Sequence, residues 1–327
     1  MVLFLKLRIL CTNNSQLIKQ GIASGFGNHG HEVFIMEGPY QLWDKPKEIQ
    51  VELFKEFIES HSIDMVFSEC FANFAEDIFE YTKAKGIFHA YWAIEDTPHD
   101  HWIGDHWSNY ADYIFTTTAE CLPNYWNKGK PAELMLFGCN PTFHKQVTTE
   151  IHRDIVLIAN NYERRANQTK NYILPVVEHG FDVSIYGNEW WMDSDRETNL
   201  LKHSEVYKGY GAYEDLPYLY SSSNIILGQN LDDQSITQTS MRPFEALAVG
   251  GGILVSPYTP AQEYLFHEHI YLPRNTDEIL LMVQEVLNMT DRQRRIKAKK
   301  AQKFVYKYHN YDLRAEQVIN AYHGHKS

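Results

Sequence analysis

The sequence predicts an α/β protein made of two Rossmann-like lobes facing across a cleft. Three observations carry that reading. Short apolar runs alternate with stretches of helical periodicity, the pattern of a parallel sheet covered by helices. The alternation lapses between residues 140 and 153 and then restarts. The chain has 327 residues, more than one ordinary core needs and a comfortable length for two. The expected division is 1–147 and 148–305, with a tail over 306–327.

Residues 3–10 read as the first buried strand, 15–28 as a helix and Glu32 to Met36 as a strand. Ile49, Leu53 and Phe57 recur at helical spacing, so 47–60 is expected to be a helix. Strands follow at Ile63 to Ser68, Ile87 to Ile94 and Tyr113 to Thr117, with a helix over 72–85. In the second half, strands are expected at Ile155 to Ala159, Asp182 to Tyr186, Asn224 to Leu227 and Ile253 to Ser256, with a short extended piece at Glu205 to Tyr207. Helices are expected over 168–180, 213–222 and Pro243 to Val249, and over Asp277 to Leu287, where Ile279, Leu280, Val283, Val286 and Leu287 share one face. From 291 onward the chain reads as a basic helix, a solvated face by its charge, and then a Tyr-rich tail.

Composition narrows the function. With 30 Lys plus Arg against 42 Asp plus Glu, the formal charge is −12, a poor match to nucleic acid or an anionic membrane. A phosphorylated ligand therefore needs a local basic pocket. Cys11, Cys70, Cys121 and Cys139 are scattered, without a C-x-x-C pair, which argues against a zinc ribbon or disulfide framework. The opening run is broken by Lys6 and Arg8, too short and charged for a membrane span or signal core. Gly25-Phe26-Gly27-Asn28-His29-Gly30 matches the dinucleotide fingerprint literally, but it follows the first helix instead of opening it. It reads as a helix-ending turn, and His31 as a structural residue at the start of the second strand.

The most informative segment runs from Thr239 to Ser256: a polar loop, a short helix, a glycine turn and a buried strand. Pro243 suits the first helical turn, and Thr239 or Ser240 can cap it. Arg242 then lies at the helix mouth with Glu245 one turn in. A carboxylate there can accept two hydroxyl donors, as from a ribose, and an Arg can fork onto a diphosphate. An Arg–Glu pair that satisfies itself is the competing reading.

Arg242-Pro243-Phe244-Glu245-Ala246-Leu247-Ala248-Val249-Gly250-Gly251 resembles the R-x-F-E-x-x-A-x-G-G pattern of the CgeB/YkvP-like spore-maturation family, which is GT-B glycosyltransferase-like. The likeness continues in Ser184-Ile185-Tyr186-Gly187-Asn188-Glu189-Trp190, in Tyr207-Lys208-Gly209-Tyr210, in Glu214-Asp215-Leu216-Pro217 and in Ser223-Asn224-Ile225-Ile226-Leu227. In the first half it touches Tyr91 to Pro98, and Gly30-His31-Glu32-Val33 is similar to a motif common in GT-B proteins. The resemblance is specific over 155–285 and looser before that.

The resemblance implies a GT-B fold whose C-terminal helix crosses back to the first lobe. It implies a metal-independent sugar transferase of the cytoplasm, or a protein associated with the spore coat, whose donor is a UDP- or GDP-linked sugar and whose acceptor is unknown. Glu245 would bind the donor ribose and Arg242 would sit near the phosphates. Asn160 and Arg164, in the loop after the first strand of the second lobe, would face phosphate, unless that loop is simply solvated. Gly187, Tyr210, Thr239 and Ser240 would complete the donor site. One departure stands out: an acid expected at 237 is Thr237, which leaves room for a fold-alike without turnover.

Glu95, Asp96, His99, Asp100, His101, Asp105 and His106 crowd the end of a strand. Strand ends of parallel sheets face the binding crevice, so Asp96 or Glu95 is a candidate base for an acceptor hydroxyl, with Trp92 and Trp102 supplying burial. The same ligand types fit a hydrolytic metal site, although the spacing matches no zinc or calcium motif. A polar surface loop is the third reading. Trp190 and Trp191 fit a pocket wall or core packing equally.

Overall fold

The computed structural model describes residues 6–12, 15–36, 45–69, 75–99, 102–230 and 233–326. The chain divides into two compact units, Met1–Phe137 with Asn310–Ser327, and Gly138–His309.

The first unit holds a six-stranded sheet of β1 (Arg8–Cys11), β2 (Glu32–Ile35), β3 (Met65–Ser68), β4 (Phe88–Ala93), β5 (Tyr113–Thr116) and β6 (Ala132–Leu134). The order is β2-β1-β3-β4-β5-β6, every pair parallel, with Ile9 opposite Val33 on one side and Met65 on the other. Every residue of β3 and β4 is buried, as a sheet covered on both faces requires. Leu10, Val66, Phe54 and Ile58 belong to one core cluster, and Tyr91, Ile114, Trp107 and Tyr125 to another.

The helix expected over 47–60 forms as Lys47–His61. Val51, Phe54 and Ile58 are buried, Phe57 packs only partly, and Ile49 and Leu53 are 49% and 36% exposed. Val51, Phe54 and Ile58, rather than Ile49 and Leu53, therefore form the buried stripe of this helix. The helices Trp102–Trp107 and Leu122–Asn127 and the strand β6 were not expected. Residues 3–5 and 72–74 of the expected elements lie outside the described residues, as does Cys70.

The glycine run has a structural role. Gly25 and Gly27 lie inside the helix Ala23–Asn28, and only Gly30, at φ +84°, makes the turn. A Cβ at Gly25 would stand 2.3 Å from the Tyr311 carbonyl oxygen, so this glycine lets the helix Tyr311–Lys326 lie close. Arg314 of that helix donates to the carbonyls of Leu136 and Phe137 at 2.8 and 3.1 Å. His31 accepts the Leu7 amide at Nδ1, 3.1 Å away, the structural part expected of it.

The second unit carries β7 (Arg153–Ile158), β8 (Val183–Tyr186), β9 (Ser223–Leu227) and β10 (Ile253–Val255), parallel in the order β10-β9-β7-β8. From β7 the chain passes to β8 on one side and then crosses to β9 on the other, which makes the carboxyl ends of β7 and β9 the switch point where ligands settle in such sheets. Ile279, Val283 and Val286 of the helix Thr276–Asn288 are buried against this sheet, with Leu280 and Leu287 partly so. The piece expected as extended at 205–207 is instead the end of a 3-10 stretch, Leu201–Val206, with Tyr207 bridging Ile185. The helix Asp291–Tyr308 opens on a Thr290–Gln293 capping box and shows its basic face to solvent. It ends at Tyr308, with His309 as its C-cap residue. Among the described residues, no helix is long and apolar enough to cross a membrane.

Candidate functional site

The carboxyl ends of β7 and β8 are laced together by their own loop residues. A Cβ at Gly187 would stand 2.0 Å from the Ala159 carbonyl oxygen and 2.7 Å from Trp191 Nε1, so only glycine lets the two ends meet. Asn160 Oδ1 accepts the Asn188 amide at 3.0 Å, and Asn188 Oδ1 accepts the Asn161 amide at 3.1 Å. Asn160 is thus part of the frame, with its Nδ2 left to the Tyr162 hydroxyl at 3.2 Å. The Arg164 and Arg165 guanidiniums flank the Tyr162 ring, 5.9 and 5.2 Å from its centre, with Arg164 exposed. Trp191 is core, while Trp190 keeps 38% exposure under the Arg196 guanidinium.

The helix Arg242–Val249 places Glu245 in its first turn and ends at Gly250, whose φ of +66° closes the C-terminus. Its mouth differs from expectation in one respect. Met241 occupies the cap position with helical backbone and no side-chain cap, so neither Thr239 nor Ser240 caps it. Thr239 Oγ bonds Asn230 Oδ1 at 3.3 Å instead.

Glu245 has no exposed surface, and both of its oxygens are held. Arg242 donates to Oε2 at 3.2 Å, and the Tyr213 hydroxyl donates to Oε1 at 2.6 Å. Behind Tyr213 stands His144, whose Nε2 is 3.0 Å from the phenol oxygen and 3.7 Å from Oε1. His144 Nδ1 accepts the Asn140 amide at 3.0 Å, so the proton of a neutral ring sits on Nε2 and points at Tyr213. Burial holds the imidazole below the usual histidine range, more strongly than the Glu245 charge raises it. The result is one directed chain: amide to imidazole, imidazole to phenol, phenol to carboxylate.

Arg242 is the open member, with 35% of its side chain exposed. Burial of the guanidinium works against its charge, but the Tyr220 phenol and Glu245 outweigh that and raise its pKa. The arrangement is a fixed carboxylate under a partly exposed cation. That cation can meet a phosphate, and the carboxylate can accept hydroxyls if Tyr213 gives way. Tyr210, 75% exposed, follows Gly209 at φ +86°. Thr237 is buried, with 3% exposure. Among the described residues, neither Asn160 nor Gly187 bonds Glu245 or Arg242.

In the first unit the acidic cluster disperses. Asp96, 1% exposed, accepts the hydroxyls of Thr116 and Tyr125 at Oδ2, at 2.7 and 2.6 Å. Burial, and then the Asp96 charge, push the Tyr125 phenol far up. Gly104 packs on the same carboxylate, where a Cβ would come within 2.3 Å of Oδ1. Glu95 is exposed. Asp105 pairs with Lys128 at 2.5 Å and His106 with Glu76 at 3.1 Å. Asp100, His101 and the Trp102 side chain lie outside the described residues. Among the described residues, no three His, Cys, Asp or Glu form a group that could hold a metal ion.

His144, Tyr213 and Tyr220 are the site residues that sequence reasoning missed. Tyr213 directly precedes Glu214-Asp215-Leu216-Pro217, a position that could have marked it. His144 carries no local signal, because it sits in the irregular stretch before β7.

A family model described as glycosyl transferase-like matches residues 152–320, just over half of the chain. No protein of curated function matches the sequence. Among solved structures, a glycosyltransferase from Rickettsia africae ESF-5 is similar over 98% of both chains, with a TM-score of 0.63 and 13% identity. A UDP-forming alpha,alpha-trehalose-phosphate synthase from Burkholderia xenovorans covers 98% of this chain and 99% of its own, at 0.64 and 9%. The UDP-GlcNAc 2-epimerase from Neisseria meningitidis bound to UDP-GlcNAc covers 96% and 99%, at 0.58 and 13%. With the two parallel sheets, these likenesses establish a two-lobe GT-B fold.

Proposed function

The chain belongs to the glycosyl transferase-like family, and on that premise we propose that it moves a sugar from a nucleoside-diphosphate sugar held by the second lobe. The observation that carries the proposal is the Glu245–Arg242 pair at the mouth of the helix Arg242–Val249. Glu245 takes the ribose hydroxyls, and the Tyr213 hydroxyl stands where one of them would bond. Arg242 meets the diphosphate and stabilises it as leaving group, together with the helix N-terminus and without a divalent metal. Arg164, Asn160 and Gly187 shape the phosphate side, and Tyr210, Thr239 and Ser240 the rest of the donor site. A uridine nucleotide is favoured by the epimerase bound to UDP-GlcNAc and by the UDP-forming synthase among the structural relatives. On the acceptor side the proposed base is Glu95, since Asp96 is committed to Thr116 and Tyr125.

The test is calorimetric titration with UDP and GDP. One of them is expected to bind, and Glu245→Ala to weaken it by about 1–3 kcal/mol, the cost of losing a charged hydrogen-bond partner. A folded protein that gives no heat with either nucleotide ends the proposal. The finer likeness to CgeB/YkvP-like proteins supports glycosylation of the spore surface, with synthesis in the cytoplasm. Deletion in a spore-forming host would then alter spore-surface glycans and leave vegetative ones unchanged. A second reading, a donor-binding coat or assembly protein without turnover, is favoured by the neutral, buried Thr237. Nucleotide binding without sugar transfer across a broad acceptor panel would select it.

A further inference from the structure

We propose that a cavity at the amino ends of β9 and β10 binds a compact phosphorylated anion, at the end of the second sheet away from Arg242 and Glu245. The inference stands apart from the donor reading, and neither depends on the other.

The cavity has a volume of about 730 Å³, within the range of small-ligand sites. Three pieces of the second unit wall it: the stretch 141–149 ahead of β7, the turn 221–224 that opens β9, and the helix Asp291–Tyr308. These walls are tied to one another. Ser221 Oγ accepts the Val147 amide at 3.0 Å, and the Tyr306 hydroxyl donates to the His144 carbonyl oxygen at 2.7 Å. Gln302 Nε2 donates to the carbonyls of Ala248 and Val249 at 2.7 and 3.0 Å, which fixes the third wall to the end of the helix Arg242–Val249. That helix has 8 residues, so its mouth at Arg242 lies about 12 Å along the axis from this end.

The charge of the cavity is the reverse of the chain's, which is −12. Lys145 comes from the first wall, Arg295 and Lys299 from the helix. None of the three forms an ion pair among the described residues, and Lys299 Nζ reaches only the neutral Gln302 Oε1, at 2.7 Å. Of the described acidic residues, Asp291 alone lines the cavity, and it is paired with Arg294. Other cations of the same helix are provided for. Lys300 pairs with Glu268 at 2.8 Å, Lys297 lies over the Tyr271 ring at 5.3 Å, and Arg294 also donates to the carbonyls of Val286 and Leu287.

Arg295 and Lys299 are four residues apart on one helical face, where like charges repel. An anion held between them and Lys145 removes that repulsion. Three cations on two walls call for a ligand with two or more charges in a small volume. Tyr306 is the one aromatic residue in the lining and only partly exposed, so the cavity is built for charge rather than for a nucleobase. A phosphoryl group brings three acceptor oxygens where a carboxylate brings two, and the hydroxyls of Thr148 and Thr149 line the same wall as Lys145. Arg295 can fork onto such a group while the two lysines act as point charges.

The experiment is calorimetric titration of the full chain with pyrophosphate at low salt, where charge is screened least. Saturable binding is expected, with citrate, an anion of similar charge without phosphorus, at least about tenfold weaker. Lys145→Ala, Arg295→Gln and Lys299→Ala should each weaken pyrophosphate by about tenfold or more, the loss of one charged partner. All three residues are exposed, so the variants should fold, and pyrophosphate should raise the melting temperature of wild type more than theirs. Lys303→Ala, exposed on the same helix but outside the cavity, is the control and should bind as wild type does. UDP affinity should stay within about twofold in the three cavity variants. No saturable pyrophosphate binding, cavity variants that bind like wild type, or a control that loses as much as they do would overturn the proposal. So would citrate binding as tightly as pyrophosphate, or a loss of UDP affinity equal to the loss of pyrophosphate affinity, which would merge the cavity with the donor site.

Discussion

Tyr213→Phe is the sharpest probe of how Glu245 is held. The change deletes one hydroxyl and keeps the ring, which stacks on Phe143 with centres 5.4 Å apart and planes at 6°. Packing is therefore conserved, and what is lost is the 2.6 Å bond to Oε1. A hydrogen bond to an ionised partner contributes about 1.5–3 kcal/mol, and with Glu245 fully buried no water can replace it. Against that, His144 Nε2 stands 3.7 Å from the same oxygen and can close part of the gap. The expected net loss is about 2 kcal/mol in urea unfolding. His144→Ala should be coupled to it by about 1 kcal/mol or more, because both side chains act on one oxygen. Nucleotide titration in parallel reads the second consequence, since the phenol and a ribose hydroxyl compete for Oε1. Tyr264→Phe is the control, at 74% exposure and outside the proposed donor site. A Tyr213→Phe protein within about 0.5 kcal/mol of wild type, additive with His144→Ala and unchanged in nucleotide affinity, would show that the chain does not hold Glu245.

Two glycines of one helix should respond in opposite senses. Gly25→Ala drives a Cβ into the Tyr311 backbone and should cost about 3 kcal/mol or more, whereas Gly27→Ala meets nothing within 4 Å and should stabilise by about 0.5–1 kcal/mol, both read by thermal melting. Burial lowers the His89 pKa to about 3, so the unfolded chain takes up this proton first as pH falls. The stability owed to neutral His89 is intact above about pH 6.5 and declines below it by up to about 1.4 kcal/mol per pH unit, until the folded pKa is reached. Urea unfolding between about pH 6.5 and pH 4 should show that slope in wild type and its reduction by that amount in His89→Leu; equal slopes would refute the assignment.

Strands such as β3 and β4 were legible because they are apolar on both faces, and no helical face competes with that pattern. β6 was not, being three residues long with Glu133 at its centre. The six-residue helices Trp102–Trp107 and Leu122–Asn127 are too short to show a period, and tertiary packing forms them. At the site, Arg242 and Glu245 were legible because one helical turn brings them together. Tyr213 lies 32 residues from Glu245 and 69 from His144, so their meeting is a property of the fold, which no local pattern records.

The helix Tyr311–Lys326 belongs to the first unit, although all of Gly138–His309 is synthesised before it. The lobe that leaves the ribosome first is thus the one completed last. Until the final helix arrives, the glycine face at Gly21 and Gly25 has nothing to lie against, and the carbonyls of Leu136 and Phe137 lack Arg314. The second unit is continuous in the chain and can fold while the first is still waiting. A truncation after His309 would remove only the last few per cent of the chain, yet it would leave a whole lobe unfinished. Chaperone dependence during synthesis should therefore be concentrated in the amino-terminal half.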